Sequence, residues 1–251
     1  INSVYAGDFN IMTTGSLAGT SITSVTQIIF STLCLVVVNT GTGTGDLRLD
    51  FIDNDTVTDL IGNPTGGPGN GNGNFTTGQV YNIDRTNPSV SSIVRANGDP
   101  TNNASVNYTV TFNENVTGVG TADFALTTTG VTGTSITSVT QVTPDVYTVA
   151  VNTGSGSGTI RLDVVDDDSI RDTVTNRLGG TGNGNGNFNI GQFYTIDRVA
   201  PTVSSIDRTG SNPTGAASIQ FTTTFSEAVT GVDTSDFTLS TTGVTGASVS
   251  S

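Results

Sequence analysis

The chain has 251 residues, 21 of them acidic and eight basic, the basic ones all arginine, for a net charge of −13 and a pI near 4.1. Such a surface repels nucleic acid and anionic membranes and attracts divalent cations, although acidity also serves simply to keep an exposed protein soluble. His, Lys and Trp are absent, so Ser-His-Asp, Cys-His and histidine-zinc sites have no residues to build on, and an enzyme is not expected.

In chain order, the first landmark is the apolar stretch Gln27-Ile-Ile-Phe-Ser-Thr-Leu-Cys-Leu-Val-Val-Val38. It is too short to span a membrane and reads as a strand pair of the core, with Cys34 a buried, unpaired, small hydrophobe. Next comes Gly45-Asp-Leu-Arg-Leu-Asp-Phe-Ile-Asp-Asn-Asp-Thr-Val-Thr-Asp59, then the loop Gly66-Gly-Pro-Gly-Asn-Gly-Asn-Gly-Asn-Phe75 and the segment Gly78-Gln-Val-Tyr-Asn-Ile-Asp-Arg85. All three return 113 residues later, as 158–172, 179–188 and 191–198, and Phe112-Asn-Glu-Asn-Val116 returns as Phe225-Ser-Glu-Ala-Val229. A period of this length is one domain per repeat rather than a solenoid rung of about 20–50 residues. The boundaries fall near 1–86, 87–199 and 200–251, with the middle unit complete and the outer two partial.

The middle unit holds the pattern of seven short strands. Ser105-Val-Asn-Tyr-Thr-Val-Thr-Phe112 alternates, placing Val106, Tyr108, Val110 and Phe112 on one face, which is the period of a half-buried strand. Further runs lie at 89–95, 123–129, 135–141, 146–152, 159–165 and 192–197, separated by turn chemistry such as Asn97-Gly-Asp-Pro100 and Gly154-Ser-Gly-Ser-Gly158. No helical periodicity appears, so the fold class is all-β, built of immunoglobulin-like β-sandwich domains in tandem. If successive strands run up and down, the second, fourth and sixth end at the pole where the chain enters. That places Glu114, Asp145, Asp166, Asp167, Asp168 and Asp172 near the linker residue Asp84.

Asp53-x-Asp55-x-x-x-Asp59 and Asp166-x-Asp168-x-x-x-Asp172 have the short acidic spacing that lets a loop wrap a hard cation. Calcium takes about six to eight oxygens at roughly 2.3–2.6 Å, and crowded carboxylates repel one another unless neutralised. The expected ligand set for Ca2+ is Asp53, Asp55, Asp59, Asp84, Glu114, Asp166, Asp168 and Asp172, with Asp197 and Glu227 at the next junction. A solvated acidic loop is the alternative. The pattern is not an EF-hand, since it lacks the glycine at loop position six and the terminal Glu. The glycine-asparagine loop lacks the Lys and Ser/Thr of a phosphate cradle and no helix follows it, so it reads as a flexible surface loop.

The residues Pro201-Thr-Val-Ser-Ser-Ile, Thr222-Thr-Thr-Phe-Ser-Glu-Ala-Val-Thr-Gly-Val232, Asp236-Phe-Thr-Leu and Tyr194-Thr-Ile-Asp-Arg resemble the bacterial Ig-like tandem repeats of giant secreted surface proteins and adhesins. The resemblance covers essentially the whole chain. It implies an extracellular, bacterial cell-surface location and tandem sandwiches, often stiffened by calcium, that act as spacers or fibre shafts. Asp167 stands where the first unit has Asn54, so cation affinity is expected to differ between junctions. The rival is an adhesive module gripping a glycan, ice or another cell, for which five Tyr and no Trp offer few exposed aromatic platforms.

Residues 1–86 match the repeat from about position 116 onward and 200–251 match 87–138. The two ends are therefore complementary parts of one sandwich. The expected partner is the protein itself, head to tail along a filament, either as separate subunits completing each other's strands or as a window on a longer continuous chain. Residue 1 already lies inside a repeat, and no signal peptide is visible.

Overall fold

The computed structural model describes residues 4–28 and 32–250. Its strands in chain order are β1 (Phe9–Thr13), β2 (Ser21–Gln27), β3 (Cys34–Asn39), β4 (Gly45–Phe51), β5 (Val80–Ile83), β6 (Val90–Arg95), β7 (Ser105–Phe112), β8 (Val116–Thr117), β9 (Phe124–Thr129), β10 (Ser135–Thr143), β11 (Val146–Asn152), β12 (Gly158–Val164), β13 (Arg171–Asp172), β14 (Phe193–Ile196), β15 (Val203–Arg208) and β16 (Phe221–Phe225). The only helical turns among the described residues are single 3-10 turns at Ala6–Asp8, Thr121–Asp123 and Thr234–Asp236. No described helix is long and apolar enough to cross a membrane.

Between residues 87 and 199 one sheet has the order β10-β11-β7-β6 and a second the order β14-β12-β9. Counting the seven main strands, the first, second, fifth and fourth lie in one sheet and the third, sixth and seventh in the other. This is the strand distribution of a constant-type immunoglobulin sandwich. The alternation of β7 decides the inner face: Val106, Tyr108, Val110 and Phe112 are buried while their neighbours are not. They meet Val149, Val151, Ile160, Leu162, Tyr194 and Ile196 in one core. Tyr108 packs edge-to-face on Tyr194, with ring centres 5.1 Å apart, and its hydroxyl donates across the sandwich to Ile160 O at 2.5 Å. A buried phenol needs such a partner. Burial raises the Tyr108 pKa far above the usual phenol value.

Strand ends differ from the expected ones by one or two residues. The short β8–β13 pair, in which Asp172 opposes Val116, has no counterpart in the sequence reading because two-residue pairs leave no periodicity.

The segment before residue 87 repeats the local pattern of the sandwich. β4 pairs with β1 and β5 as β12 pairs with β9 and β14. Phe9 opposes Phe51 as Phe124 opposes Val164. The same hydrogen bonds recur: Asp8 accepts from Tyr5 N and Thr56 Oγ1, and Asp123 from Gly120 N and Ser169 Oγ. Arg48 pairs with Asp50 as Arg161 does with Asp163.

The reading of residues 27–38 as core, with Cys34 buried, is overturned: Leu33, Leu35, Val37 and Cys34 are exposed, and residues 29–31 lie outside the described part. Cys34 opposes Gln27 of β2, but no strand pairs with the other edge of β3 among the described residues. Tyr147, its counterpart, sits between Gln141 of β10 and Val110 of β7. Burial at this position thus comes from the flanking strand, not from the strand's own sequence. Tyr81 shows the same effect, at 74% exposed where Tyr194 is 0%.

Cys34 will therefore be alkylated in the native protein. Its pKa is raised, first by partial burial and then by Asp8, so labelling will start slowly at neutral pH and accelerate above the usual thiol range. A thiol that reacts only after denaturant is added would contradict this.

Candidate metal centre

Three carboxylates meet where the chain enters the sandwich. Asp84 lies in the linker after β5, where its Oδ1 accepts from Thr86 N at 2.9 Å and fixes the turn into Pro88, which is buried. Glu114 follows β7 in a turn tied down by reciprocal contacts, Asn113 N donating to Ser89 O and Ser89 N to Asn113 Oδ1. Asp172 is delivered by the β8–β13 pair. One oxygen from each of Asp84, Glu114 and Asp172 lies within 4.8 Å of the other two.

The burden on this cluster falls on Glu114. Its Oε1 is buried and has no hydrogen-bond partner, alone in this among the buried side-chain N and O atoms of the described residues. An orphaned buried carboxylate oxygen is costly and calls for an ion or another donor. The Glu114 pKa is raised, by burial first and then by Asp84 and Asp172. Two oxygens on opposite sides of a calcium ion lie about 4.6–5.2 Å apart and adjacent ones closer, so a triad this compact suits a hard cation. Asp172 already accepts from Val174 N, Asn176 N and Asn176 Nδ2, yet a carboxylate offers about four lone-pair sites.

These facts give a pH dependence. A carboxyl whose folded pKa lies above its unfolded value contributes stability that is fully present below the unfolded value and is lost as pH rises through the folded one. In chelator, wild type will therefore lose stability relative to Glu114→Gln as pH climbs from below the ordinary Glu value of about 4.3 to neutrality. A difference in melting temperature that stays constant over that window would contradict the assignment.

The other residues of the expected set lie outside the triad, and the aspartates among them accept hydrogen bonds from their own loops. Asp166 accepts from Asp168 N, Gly184 N and Gly186 N. Asp168 accepts from Gly182 N and from Arg177. Asp53 accepts from Asp55 N and Gly73 N, and Asp55 from Gly69 N. These carboxylates hold the glycine-asparagine loops by hydrogen bonds, and the second loop covers buried Leu178. A Cβ at Gly186 would stand 2.5 Å from Leu178 Cγ, and one at Gly179, where φ is +67°, 2.5 Å from Gly186 N. Glycine is needed for that closeness.

Asp59 is exposed and accepts from Ile61 N, Asn63 N and Asn63 Nδ2. The Asn63 side chain above all lowers its pKa. Asp145 accepts from Thr143 Oγ1 and lies outside the triad. Asp197 and Glu227, the counterparts of Asp84 and Glu114, are exposed but line one shallow groove with Pro100, Thr101, Val199 and Pro201.

Asn176 is a residue the sequence reading missed. Its Nδ2 donates to Asp172 Oδ2 and reaches back to the linker carbonyls of Thr86 at 3.0 Å and Asp84 at 3.3 Å. The recurrence of Asn63 as Asn176, each four residues after an aspartate, was the available signal.

The fold and the site together define an immunoglobulin-type β-sandwich with an acidic triad at its linker. No protein-family model matches the chain, and no curated protein matches it. Among solved structures the chain is similar to FdeC, described as a broadly conserved Escherichia coli adhesin. Identity is 18% over 76% of this chain and 54% of that one, with a TM-score of 0.36. The chain thus spans about half the length of that structure.

Proposed function

We propose that the chain is part of an extracellular shaft on a bacterial surface, in which units 1–86, 87–199 and 200–251 are joined end to end and a calcium ion stiffens each junction. Along the filament each unit's neighbour is another unit of the same kind. The observation that carries this reading is Glu114, whose Oε1 is buried and unpartnered and whose carboxylate meets an aspartate of the linker and one of the sandwich. A cation held by Asp84, Glu114 and Asp172 would tie the linker to the unit it enters. Asn176, bonded to both sides, would set the angle. The recurrence of the Asp84–Glu114 pairing as Asp197 and Glu227 in one groove supports a repeated device. The strong negative charge suits an exposed structure that works in a calcium-containing medium.

Small-angle scattering on the whole chain tests it. Calcium should narrow the distribution of end-to-end distances, and chelator should broaden it. Superimposable profiles in the two conditions would remove the stiffening role.

A further inference from the structure

Five Asn–Gly bonds occur in the chain, at residues 70–71, 72–73, 97–98, 183–184 and 185–186. Asn–Gly is the dipeptide most prone to deamidation. The glycine amide nitrogen loses its proton and attacks Cγ of the asparagine, a C–N bond forms, and ammonia leaves. Water then opens the succinimide ring to aspartate or isoaspartate. The step needs a free amide nitrogen that can ionise and swing onto the side chain.

We propose that Asp53 and Asp166 shield the four loop bonds from this reaction and that Asn97–Gly98 is the site at which the folded protein deamidates. Every loop nucleophile is held. Gly71 N donates to Asp53 O at 3.0 Å and Gly73 N to Asp53 Oδ2 at 3.1 Å. Gly184 N donates to both Asp166 O, at 3.0 Å, and Oδ2, at 3.1 Å. Gly186 N donates to Asp166 Oδ2 at 3.1 Å. Attack requires that bond to break. Where the acceptor is a carboxylate, ionising the N–H would also set one negative charge against another.

Asn97–Gly98 is the reverse case. Both residues are exposed, in the turn between β6 and β7. Gly98 N makes no hydrogen bond, and a Cβ built on Gly98 meets nothing within 4 Å, so water has access. Asn97 N donates to the Tyr194 hydroxyl at 2.8 Å, and Asn97 Oδ1 accepts from Asn107 N at 2.8 Å and from the Tyr194 hydroxyl at 3.5 Å, bonds that leave Gly98 N free and draw electrons from the Cγ under attack. The product places a new negative charge beside Asp99, which is paired with Arg95 and followed by the groove residues Pro100 and Thr101.

The test is peptide mass mapping of the whole chain held at mildly alkaline pH, native and in urea. In urea all five bonds should react at similar rates. In the native protein Asn97 should be the fastest of the five, while Asn72, Asn183 and Asn185 slow by about tenfold to a hundredfold, the factor carried by one charge-assisted hydrogen bond, and Asn70, whose Gly71 N bonds only a neutral carbonyl, by roughly twofold to tenfold. Asp166→Ala should release Asn185 most, because Gly186 N loses its acceptor, and Asn183 less, because Gly184 N keeps Asp166 O. Asn70 and Asn72 in the same molecule report whether the variant is still folded, and Asp53→Ala repeats the test on the other loop. Loop bonds reacting at their urea rates in the native wild type, or Asn97 slowing as they do, would overturn the proposal. So would an unchanged rate at Asn185 in a folded Asp166→Ala.

Discussion

In calcium, Glu114→Gln will melt below wild type; in chelator, at the same neutral pH, the order will reverse. With the ion in place Glu114 supplies charge and an oxygen that glutamine supplies poorly, so the variant loses binding energy. Without the ion, wild type holds three carboxylates, one oxygen of each within 4.8 Å of the other two, and half-buried Glu114 has a buried oxygen with no partner. Glutamine removes a charge from that cluster. A ligand at a hundredfold its Kd stabilises by about 2.7 kcal/mol. In a unit of this size that is a shift on the order of 10 °C. A simple packing defect predicts the same sign in both conditions, so failure of the order to reverse would remove the triad as the cation site.

Tyr108→Ala will lower the stability of the sandwich between residues 87 and 199 by about 3–5 kcal/mol, the range for emptying a large aromatic site in a core. Tyr108 is 0% exposed, touches Tyr194 edge-on and links the two sheets through Ile160 O. Tyr108→Phe keeps the ring and should cost about 1–3 kcal/mol, because it strands a buried acceptor. Denaturant melts resolve the two steps. Equal losses for the two variants would mean that the hydroxyl, not the ring, holds the sheets together, contrary to the packing described. The same substitutions should leave the calcium shift of the folded protein intact, since Tyr108 lies away from the triad.

The sandwich was legible because β7, β11 and β12 carry their own instructions: alternation names the inner face, and Gly-rich or Pro-containing turns bound each strand. Burial at Cys34 and Tyr81 was not legible, because it depends on which strand lies alongside, and a repeat alignment carries residue types but not neighbours. Among the acidic residues, up-and-down strand order placed Glu114 and Asp172 near Asp84, but it placed Asp145, Asp166, Asp167 and Asp168 there as well, and these lie outside the triad. The fate of the Asp-x-Asp pairs did not. An aspartate that curls the chain to offer oxygens to a cation and one that curls it to receive glycine amides have the same spacing, and Asp55 and Asp168 adopt the same left-handed backbone, φ +62° and +67°, in doing the latter. Only the positions of Gly69, Gly73, Gly182 and Gly186 separate the two cases, and those glycines lie 14 to 20 residues further along the chain.

On this proposal Asp84, Glu114 and Asp172 hold one calcium ion between a linker and the sandwich it enters. Isothermal titration of calcium into the decalcified whole chain tests it most directly. The account predicts saturable binding from which one equivalent is lost in Glu114→Gln and in Asp84→Asn and none in Asp166→Asn, whose carboxylate serves the loop amides. Absence of saturable heat in the wild type, or a stoichiometry unchanged by loss of Glu114 but lowered by loss of Asp166, would contradict it.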